Sequence, residues 1–264
     1  MKETYIYVRN KAQLLKVLDF EPDCIIIEYE LFFGLDDELR RRTQDQKRIV
    51  ISLPHVLNSN VISHIKSNIN KDMYFMCDSY DGLGLLAALM MPSDHIMLDA
   101  GLYAFSNRSV DYFRSLGYTK YTIPYELNLK EIAGLDKEGA VMMVYGRIPV
   151  MYSAQCVLKN TGRCKGKSGT SKVTEIVDRK NSVLPVICEC EYDCFNIIYN
   201  SKPLYLLHLL DDIYDVGVDA IRLDFTVEDE KLTEKILDIL KNRRWVKPND
   251  VLGDFTKGHL LRGV

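Results

Sequence analysis

The sequence predicts an α/β fold, a TIM-like (β/α)8 barrel with a cysteine-rich insertion after its seventh strand. Eight short runs rich in β-branched and aromatic residues recur along the chain, and the first seven begin 19 to 26 residues apart. This interval suits a strand, a crossover helix and two short loops. Helix start and stop signals occupy the gaps between the runs. The 264 residues, 47% hydrophobic and 27% charged, have an ordinary globular composition.

The predicted strands are residues 5–8, 24–29, 49–53, 73–78, 95–100, 121–125, 141–145 and 220–225. Eight such repeats in about 250 residues describe a closed barrel that forms a single domain over residues 1–264. An open doubly wound sheet is the alternative, because the number of strands does not establish closure.

Capping residues predict where several helices begin and end. The predicted helices are 11–18 after the cap Asn10, 37–46 after Asp36, 110–116 between Asn107 and Gly117, and 204–216 between Pro203 and Gly217.

The seventh repeat is longer than the others, because residues 148–202 separate its strand from its helix. A βα insertion of a parallel barrel lies at the C-terminal face, where active sites form. Within the insertion, 159–172 is predicted to be a mobile loop, and 172–178 and 183–189 a hairpin. The tail, 245–264, has apolar anchors, so we expect it to pack back on the barrel and to bring His259 and Arg262 near a pocket.

Charge and hydropathy exclude several functional classes. The net charge of −3 gives no general affinity for phosphates. The longest apolar run, 83–92, is shorter than the roughly 20 residues of a membrane span. The N-terminal residues do not resemble a secretory signal, so we expect a cytoplasmic protein without a membrane partner. No Walker loop, GxGxxG after a strand, HExxH or G-x-S-x-G occurs.

The cysteines divide into two groups. Two of the seven, Cys24 and Cys77, lie in strand runs and are expected to be buried as small hydrophobic residues. The other five fall within 39 residues and indicate a metal or redox site, with an oxidised structural pair as the alternative. Thiolates without nearby histidines favour an iron–sulfur cluster over catalytic zinc. These five are Cys156, Cys164, Cys188, Cys190 and Cys194.

Ionisable side chains recur where the predicted strands end. In a barrel these positions form the mouth, so we expect a charged pocket with carboxylates for proton transfer. Arg147 and Arg222 would hold an anionic substrate. The strand-end residues are Glu28, His55, Asp78, Asp99, Glu126, Tyr145, Arg147, Arg222 and Asp224.

Several segments, in order, resemble the collagenase-like peptidase family U32. They are residues 125–132 (YELNLKEI), 144–156 (VYGRIPVMYSAQC), 198–204, 221–226 and 256–264. The resemblance extends over 73–264, whereas 1–72 resembles only the later barrel of the long, two-part members.

The family resemblance implies two activities. Some members are described as collagenases of unknown catalytic type. Others are oxygen-independent hydroxylases of ribosomal RNA, transfer RNA or ubiquinone precursors that carry a [4Fe–4S] cluster on four cysteines. The second activity suits this chain better and predicts a hydroxylase of an RNA base or a similar small aromatic substrate. Glu126, Arg147, Arg222 and His259 are then the candidate catalytic and substrate-positioning residues.

The same resemblance implies Cys156, Cys164, Cys190 and Cys194 as cluster ligands. A family-like cysteine is expected near 168–171, where this chain has Ser-Gly-Thr-Ser, so Cys188 or Cys190 would replace it. If neither Cys188 nor Cys190 reaches the cluster, the site holds an incomplete cluster, another metal or no metal.

Two other functions remain alternatives, a collagenase-like endopeptidase and a non-catalytic barrel subunit of a larger complex. A partner barrel is expected because long family members carry a second one. An RNA substrate would contact a basic loop, residues 159–172, through Lys159, Arg163, Lys165, Lys167 and Lys172.

Overall fold

The computed structural model describes residues 2–164, 172–190, 194–242 and 248–262. The strands are β1 (Glu3–Val8), β2 (Cys24–Glu28), β3 (Ile49–Ser52), β4 (Phe75–Cys77), β5 (Ile96–Leu98), β6 (Lys120–Thr122), β7 (Ala140–Gly146), β8 (Pro149–Ser153), β9 (Lys172–Val177), β10 (Val183–Glu189), β11 (Phe195–Tyr199), β12 (Leu204–Tyr205) and β13 (Ala220–Asp224). The helices are α1 (Lys11–Phe20), α2 (Tyr29–Phe33), α3 (Asp37–Gln44), α4 (Ser59–Asn68), α5 (Tyr80–Ala88), α6 (Asn107–Ser115), α7 (Leu129–Ala133), α8 (Val157–Asn160), α9 (Leu210–Val216), α10 (Glu230–Asn242) and α11 (Asn249–Leu252). Short 3-10 turns span Ser93–His95, Ala100–Leu102 and Leu207–Leu209.

Eight parallel strands close into a barrel. Strands β1 to β7 pair in sequence order, and β13 closes the ring by pairing with both β7 and β1. All eight predicted strands are confirmed, and closure excludes the open doubly wound sheet. The C-terminal ends of these strands form one mouth.

The barrel wall separates two apolar cores. Alternate side chains of each strand point inward or outward. Tyr5, Ile26 and Met97 pack with others inside the barrel. Ile6, Ile25 and their counterparts pack outward against the helices in the larger core. Burial on both faces explains why strands such as β2 are almost continuously apolar in sequence.

Most of the predicted helix boundaries agree with the structure. Asn10 and Asp36 cap α1 and α3 as predicted. Ser106 caps α6 instead of Asn107, because Ser106 and Ser109 form a reciprocal capping box. The predicted helix 204–216 is wrong in its first half. There Leu204–Tyr205 forms β12, antiparallel to β7, and α9 begins only at Leu210.

The insertion after β7 forms a second, antiparallel sheet in the order β8-β11-β10-β9, which we call the cap sheet. Its β9–β10 hairpin confirms the predicted one. One face of the cap sheet carries Ile187, Phe195 and Ile197, which pack against Val56 and Val227 from the barrel loops. The cap sheet therefore covers part of the barrel mouth. The predicted mobile loop lies partly outside the described residues, at 165–171.

The C-terminal segment contacts the barrel within the described range 248–262. Thr256 accepts a backbone hydrogen bond from Tyr205, and Leu129 donates one to Leu260. Leu260 is buried in the outer core. In the part of the chain that the structure describes, no helix is both long and apolar enough to cross a membrane.

Candidate functional site

A cavity of about 800 Å³ opens at the C-terminal mouth of the barrel, beneath the cap sheet. Seven of the nine predicted strand-end residues line it, namely Glu28, His55, Asp78, Asp99, Glu126, Arg147 and Asp224. The other two, Tyr145 and Arg222, are fully buried. His259 of the C-terminal segment lines the cavity, whereas Arg262 is exposed and does not.

Arg222 lies under the floor of the cavity, in the barrel interior. One guanidinium nitrogen, Nη1, donates to Asp99 at 2.8 Å and to Thr122 at 2.9 Å, and the other, Nη2, donates to Asp224 at 3.0 Å and to Tyr125 at 3.3 Å. Nε lies 2.8 Å from the second carboxylate oxygen of Asp224. Arg222 thus joins β13, β5, β6 and the loop after β6.

This network leaves Arg222 unable to hold an anionic substrate, contrary to the role expected from the sequence. Its charge is already matched by two carboxylates, and its side chain does not reach the cavity surface. Burial opposes the charge on Arg222, but Asp224 and Asp99 outweigh it and keep the pKa of the guanidinium well above its usual value. Arg222 therefore positions the acidic floor.

The buried carboxyl group of Asp224 has a shifted pKa. Burial raises its pKa from 3.8 to about 6, although the charge of Arg222 acts in the opposite direction. Gly146 allows this packing, because its φ is +137° and a Cβ there would lie 2.6 Å from the carbonyl oxygen of Asp224.

Arg147 and Glu28 line the wall of the cavity with partners of their own. Nη1 of Arg147 donates to the carbonyl oxygens of Asn200 and Ser201, at 2.9 and 2.7 Å. Glu28 caps α2 by accepting from the backbone of Leu31 at 3.0 Å. Among the described residues Arg147 forms no direct ion pair, although its charge opposes the rise that burial causes in the pKa of Glu228. Its charge can therefore also act on a ligand in the cavity.

A buried ion pair attaches the cap sheet to the barrel. Arg9, which follows β1, contacts Glu189 at the end of β10, and their side chains are 7% and 4% exposed. Arg9 also donates to the hydroxyl of Tyr7 at 3.0 Å. Neither residue was among those predicted from the sequence. Arg9 directly follows the predicted strand 5–8, so its position already indicated the mouth of the barrel. Consecutive strand residues point to opposite faces, so with Cys188 on the outer face Glu189 would point to the barrel.

The cysteines of the insertion lie on the opposite face of the cap sheet from the cavity. We call Cys156, Cys188, Cys190 and Cys194 the thiol cluster, because they pack together with Leu158, Val186 and Ile198. Since Glu189 points to the barrel, its neighbours Cys188 and Cys190 point away from it. The expected position at the barrel mouth is therefore corrected to the outer face of the cap sheet.

Contacts within the thiol cluster are direct. Burial raises the pKa of Cys188 to about 12, and a hydrogen bond with Cys156 contributes to this rise. Burial likewise raises the pKa of Cys190 to about 11, assisted by the charges of Cys194, Cys156 and Cys164. Cys164 is exposed at the edge of the thiol cluster, and all of these cysteines are free thiols. Cys24 and Cys77 are buried, as predicted.

Asn196 is a polar side chain placed among the thiols. Its Oδ1 accepts from the backbone of Val157 at 2.9 Å, while its buried Nδ2 meets no acceptor with hydrogen-bond geometry in the described structure. Burial raises the pKa of Cys156, but the polar groups around it, among them the backbone of Lys159 and the side chain of Asn196, outweigh burial and leave the pKa lowered. Asn196 thus offers a donor to sulfur.

Within the ranges that the structure describes, no three His, Cys, Asp or Glu side chains are arranged as ligands of a metal ion. The thiols pack together, but Cys188 donates to Oδ1 of Asn196 at 3.7 Å and Cys190 donates to the carbonyl oxygen of Cys188 at 3.6 Å. Of the basic loop, Lys159 and Arg163 are exposed near the thiol cluster, whereas Lys165 and Lys167 lie outside the described residues.

Comparison with known proteins gives a family match. A sequence model described as Peptidase family U32 matches residues 69–243. No curated protein matches the sequence.

Among solved structures, the C-terminal domain of a candidate chitinase from Desulfitobacterium hafniense is 11% identical with a TM-score of 0.44, covering 91% of this chain and 99% of that one. A candidate fructose-1,6-biphosphate aldolase from Coccidioides immitis is 11% identical with a TM-score of 0.45, covering 97% and 91%. The spore cortex-lytic enzyme SleL of Bacillus cereus is 9% identical with a TM-score of 0.40, covering 90% and 74%. At these values the similarities carry no functional information.

Replacing Arg222 with Met will lower the free energy of unfolding by about 3–5 kcal/mol, because Asp99 and Asp224 then remain buried without a cation. Urea denaturation measures the change. Arg108→Met, on the exposed surface of α6, is the control and is expected to change stability by less than about 0.5 kcal/mol. Equal effects of the two substitutions would contradict the network.

Asp224 makes stability depend on pH. Its pKa is about 6 when folded against 3.8 when unfolded, so the folded state binds more protons between these values and the contribution of Asp224 is lost as pH rises through 6. Relative to Asp224→Asn, the native protein will gain up to roughly 3 kcal/mol from pH 7 to pH 4. Denaturant unfolding at several pH values measures this. Parallel curves of stability against pH for the native protein and Asp224→Asn would refute this dependence. Asp111→Asn removes an exposed carboxylate and is the control for the lost charge.

Glu189→Gln will loosen the cap sheet, because Arg9 keeps a buried charge without its counter-charge. Amide hydrogen exchange in β10 and β11 will accelerate, corresponding to about 3–5 kcal/mol of lost local stability, while β13 will be unaffected. Glu175→Gln removes an exposed carboxylate from the same sheet and is the matched control. Unchanged protection of β10 would show that the ion pair does not hold the sheet.

Proposed function

The chain belongs to peptidase family U32, and from this premise we propose that it is an iron–sulfur protein that hydroxylates an RNA base, or a similar small aromatic substrate, without molecular oxygen. The observation that carries the proposal is the gathering of free thiols on the outer face of the cap sheet, directly behind the cavity.

The donor set fits an iron–sulfur cluster. Cysteine thiolates are the usual ligands of such clusters, and N–H donors to sulfur tune them. Cys156 has a lowered pKa, and Asn196 offers its buried amide beside it. We propose Cys156, Cys190 and Cys194 as ligands, with Cys164 or Cys188 as the fourth. A cluster bound there would supply electron transfer.

The cavity suits a planar, uncharged group better than a phosphate. Aromatic rings line it, and its carboxylates outnumber its cations, so it repels phosphate while accepting hydrogen bonds from ring N–H and amino groups. The lining rings are Tyr7, Tyr103, Tyr125, Tyr152, Phe195 and Tyr199. Glu126, Arg147 and His259 would bind and orient the ring, while the phosphates of the RNA stay outside the acidic cavity.

The strand β10 connects the two faces of the cap sheet. Cys188 and Cys190 belong to the thiol face, and Glu189 between them holds Arg9 at the cavity wall. A change in the thiols would therefore reach the wall of the cavity through one peptide unit on either side of Glu189. This is the physical route by which the thiol cluster would influence the bound substrate.

A non-catalytic barrel subunit is the second candidate. The observation that favours it is the absence, among the described residues, of a set of side chains already arranged to hold a metal. In that case the cavity or the cap sheet would contact a partner barrel.

Anaerobic reconstitution with iron and sulfide tests the proposal. The native chain will bind about four irons and four sulfides with brown absorbance, as expected of a four-cysteine cluster. Cys156→Ser and Cys190→Ser will lose most of the bound iron. Cys24→Ala, a cysteine inside the barrel, is the matched control and will retain it. A colourless protein with free thiols would reject the cluster and favour the non-catalytic subunit.

Substrate is tested separately by nucleoside mass spectrometry. RNA from host cells with the gene will contain a base with the mass gain of one oxygen atom, and RNA from cells without it, or with Glu126→Gln, will lack it. Unchanged RNA together with cleavage of gelatin, abolished by Glu126→Gln, would support the endopeptidase instead.

A further inference from the structure

One histidine of the cavity wall is held by two other side chains. Nδ1 of His55 lies 2.9 Å from Oδ2 of Asp78, and the same oxygen accepts from the hydroxyl of Tyr152 at 2.9 Å. The rings of His55 and Tyr152 stack with centroids 3.6 Å apart and planes inclined by 6°. His55 and Asp78 come from the ends of β3 and β4, whereas Tyr152 comes from the cap sheet.

The hydrogen bonds determine which ring nitrogen carries the proton. Tyr152 remains a donor, because burial, and then the charge of Asp78, keep the pKa of its hydroxyl far above the usual value. An ionised carboxylate only accepts hydrogen bonds, so Nδ1 of His55 must donate to Asp78. In the neutral ring Nε2 is then without a proton, and no described residue bonds to it.

Asp78 is itself fixed by backbone. Its Oδ1 accepts from the amide of Gly101 at 3.0 Å. A Cβ at position 101 would lie 2.0 Å from this oxygen and 2.5 Å from the carbonyl oxygen of Asp78, so only glycine permits the approach. The carboxylate therefore has three donors that hold both its oxygens in place.

We propose that His55 is the proton acceptor of the cavity, with Asp78 as its positioning residue and Tyr152 as the platform that fixes the ring. Its ligand is a molecule that presents an O–H or N–H group to Nε2. The inference rests on the cavity alone and stands whether or not the thiol cluster holds iron.

The proton moves from the ligand to His55, and no other reactant is needed. The O–H or N–H bond of the ligand breaks, its electron pair stays on the ligand, and the proton forms a bond with Nε2. The resulting imidazolium lies between the carboxylate of Asp78 and the face of Tyr152, both of which stabilise a positive charge. Since His55 lies in a barrel loop and Tyr152 in the cap sheet, the acceptor is complete only while the cap sheet covers the mouth.

Nitrogen NMR of the full-length chain with ¹⁵N-labelled histidine tests the tautomer at pH 8. His55→Gln assigns the signals. In the native protein Nδ1 of His55 will show the shift of a protonated ring nitrogen and Nε2 that of an unprotonated one. Asp78→Ala and Gly101→Ala will move both signals towards the opposite tautomer. Tyr152→Phe keeps the His55–Asp78 hydrogen bond and will keep the native tautomer, as will exposed Asp111→Asn.

Diethyl pyrocarbonate, which acylates accessible unprotonated imidazole nitrogens, tests the acceptor itself. Mass spectrometry will show acylation of His55 in the native protein. A protonated Nε2 in the native spectrum, or no acylation of His55, would overturn the proposal, and both readings remain decisive if Asp78→Ala does not fold. If the protein binds no iron–sulfur cluster, the tautomer and the acylation of His55 will still be as stated here.

Discussion

The buried charge of Arg222 is the constraint on which the mouth of this barrel depends. A guanidinium enclosed by the barrel is tolerated only with counter-charges and hydrogen-bond acceptors around it, because burial of an unpaired charge is very costly. Asp99, Asp224, Thr122 and Tyr125 meet this need from four positions around the ring. The floor of the cavity is acidic for this reason, and the residue that first looked like an anion-binding group is instead its support.

The second constraint is the two-residue alternation of the cap sheet. It places Glu189, Phe195 and Ile197 towards the barrel and the thiols away from it. The cavity and the thiol cluster thus lie on opposite faces of one sheet, and the backbone of β10 runs between them. The buried pair of Arg9 and Glu189 holds the two parts together, and stacking of Tyr152 on His55 makes the cavity depend on the cap sheet.

The sequence predicted the parts of this structure that local patterns determine. The eight barrel strands and the β9–β10 hairpin have β-branched runs between turn residues, and Asn10 and Asp36 are side chains that cap helices locally. Strand-end positions also indicated most of the cavity wall. Strands β8 and β11 were missed because their pairing is between residues far apart in sequence. Pro203 was taken as the start of a helix but precedes the two-residue strand β12. A proline before a helix and a proline before so short a strand look alike in sequence.

The fate of individual charges could not be predicted in the same way. Whether Arg222 faces a ligand or two carboxylates depends on the ring of strands, and whether a cysteine faces the barrel depends on the register of the cap sheet. The thiols and the cavity lie on opposite faces of the cap sheet and are therefore separate sites. Anomalous diffraction at the iron edge from anaerobically reconstituted crystals tests this separation. Iron is expected among Cys156, Cys190 and Cys194, on the outer face of the cap sheet. Iron bound inside the cavity, among Glu28, Asp99 and Glu126, would show that the separation is wrong.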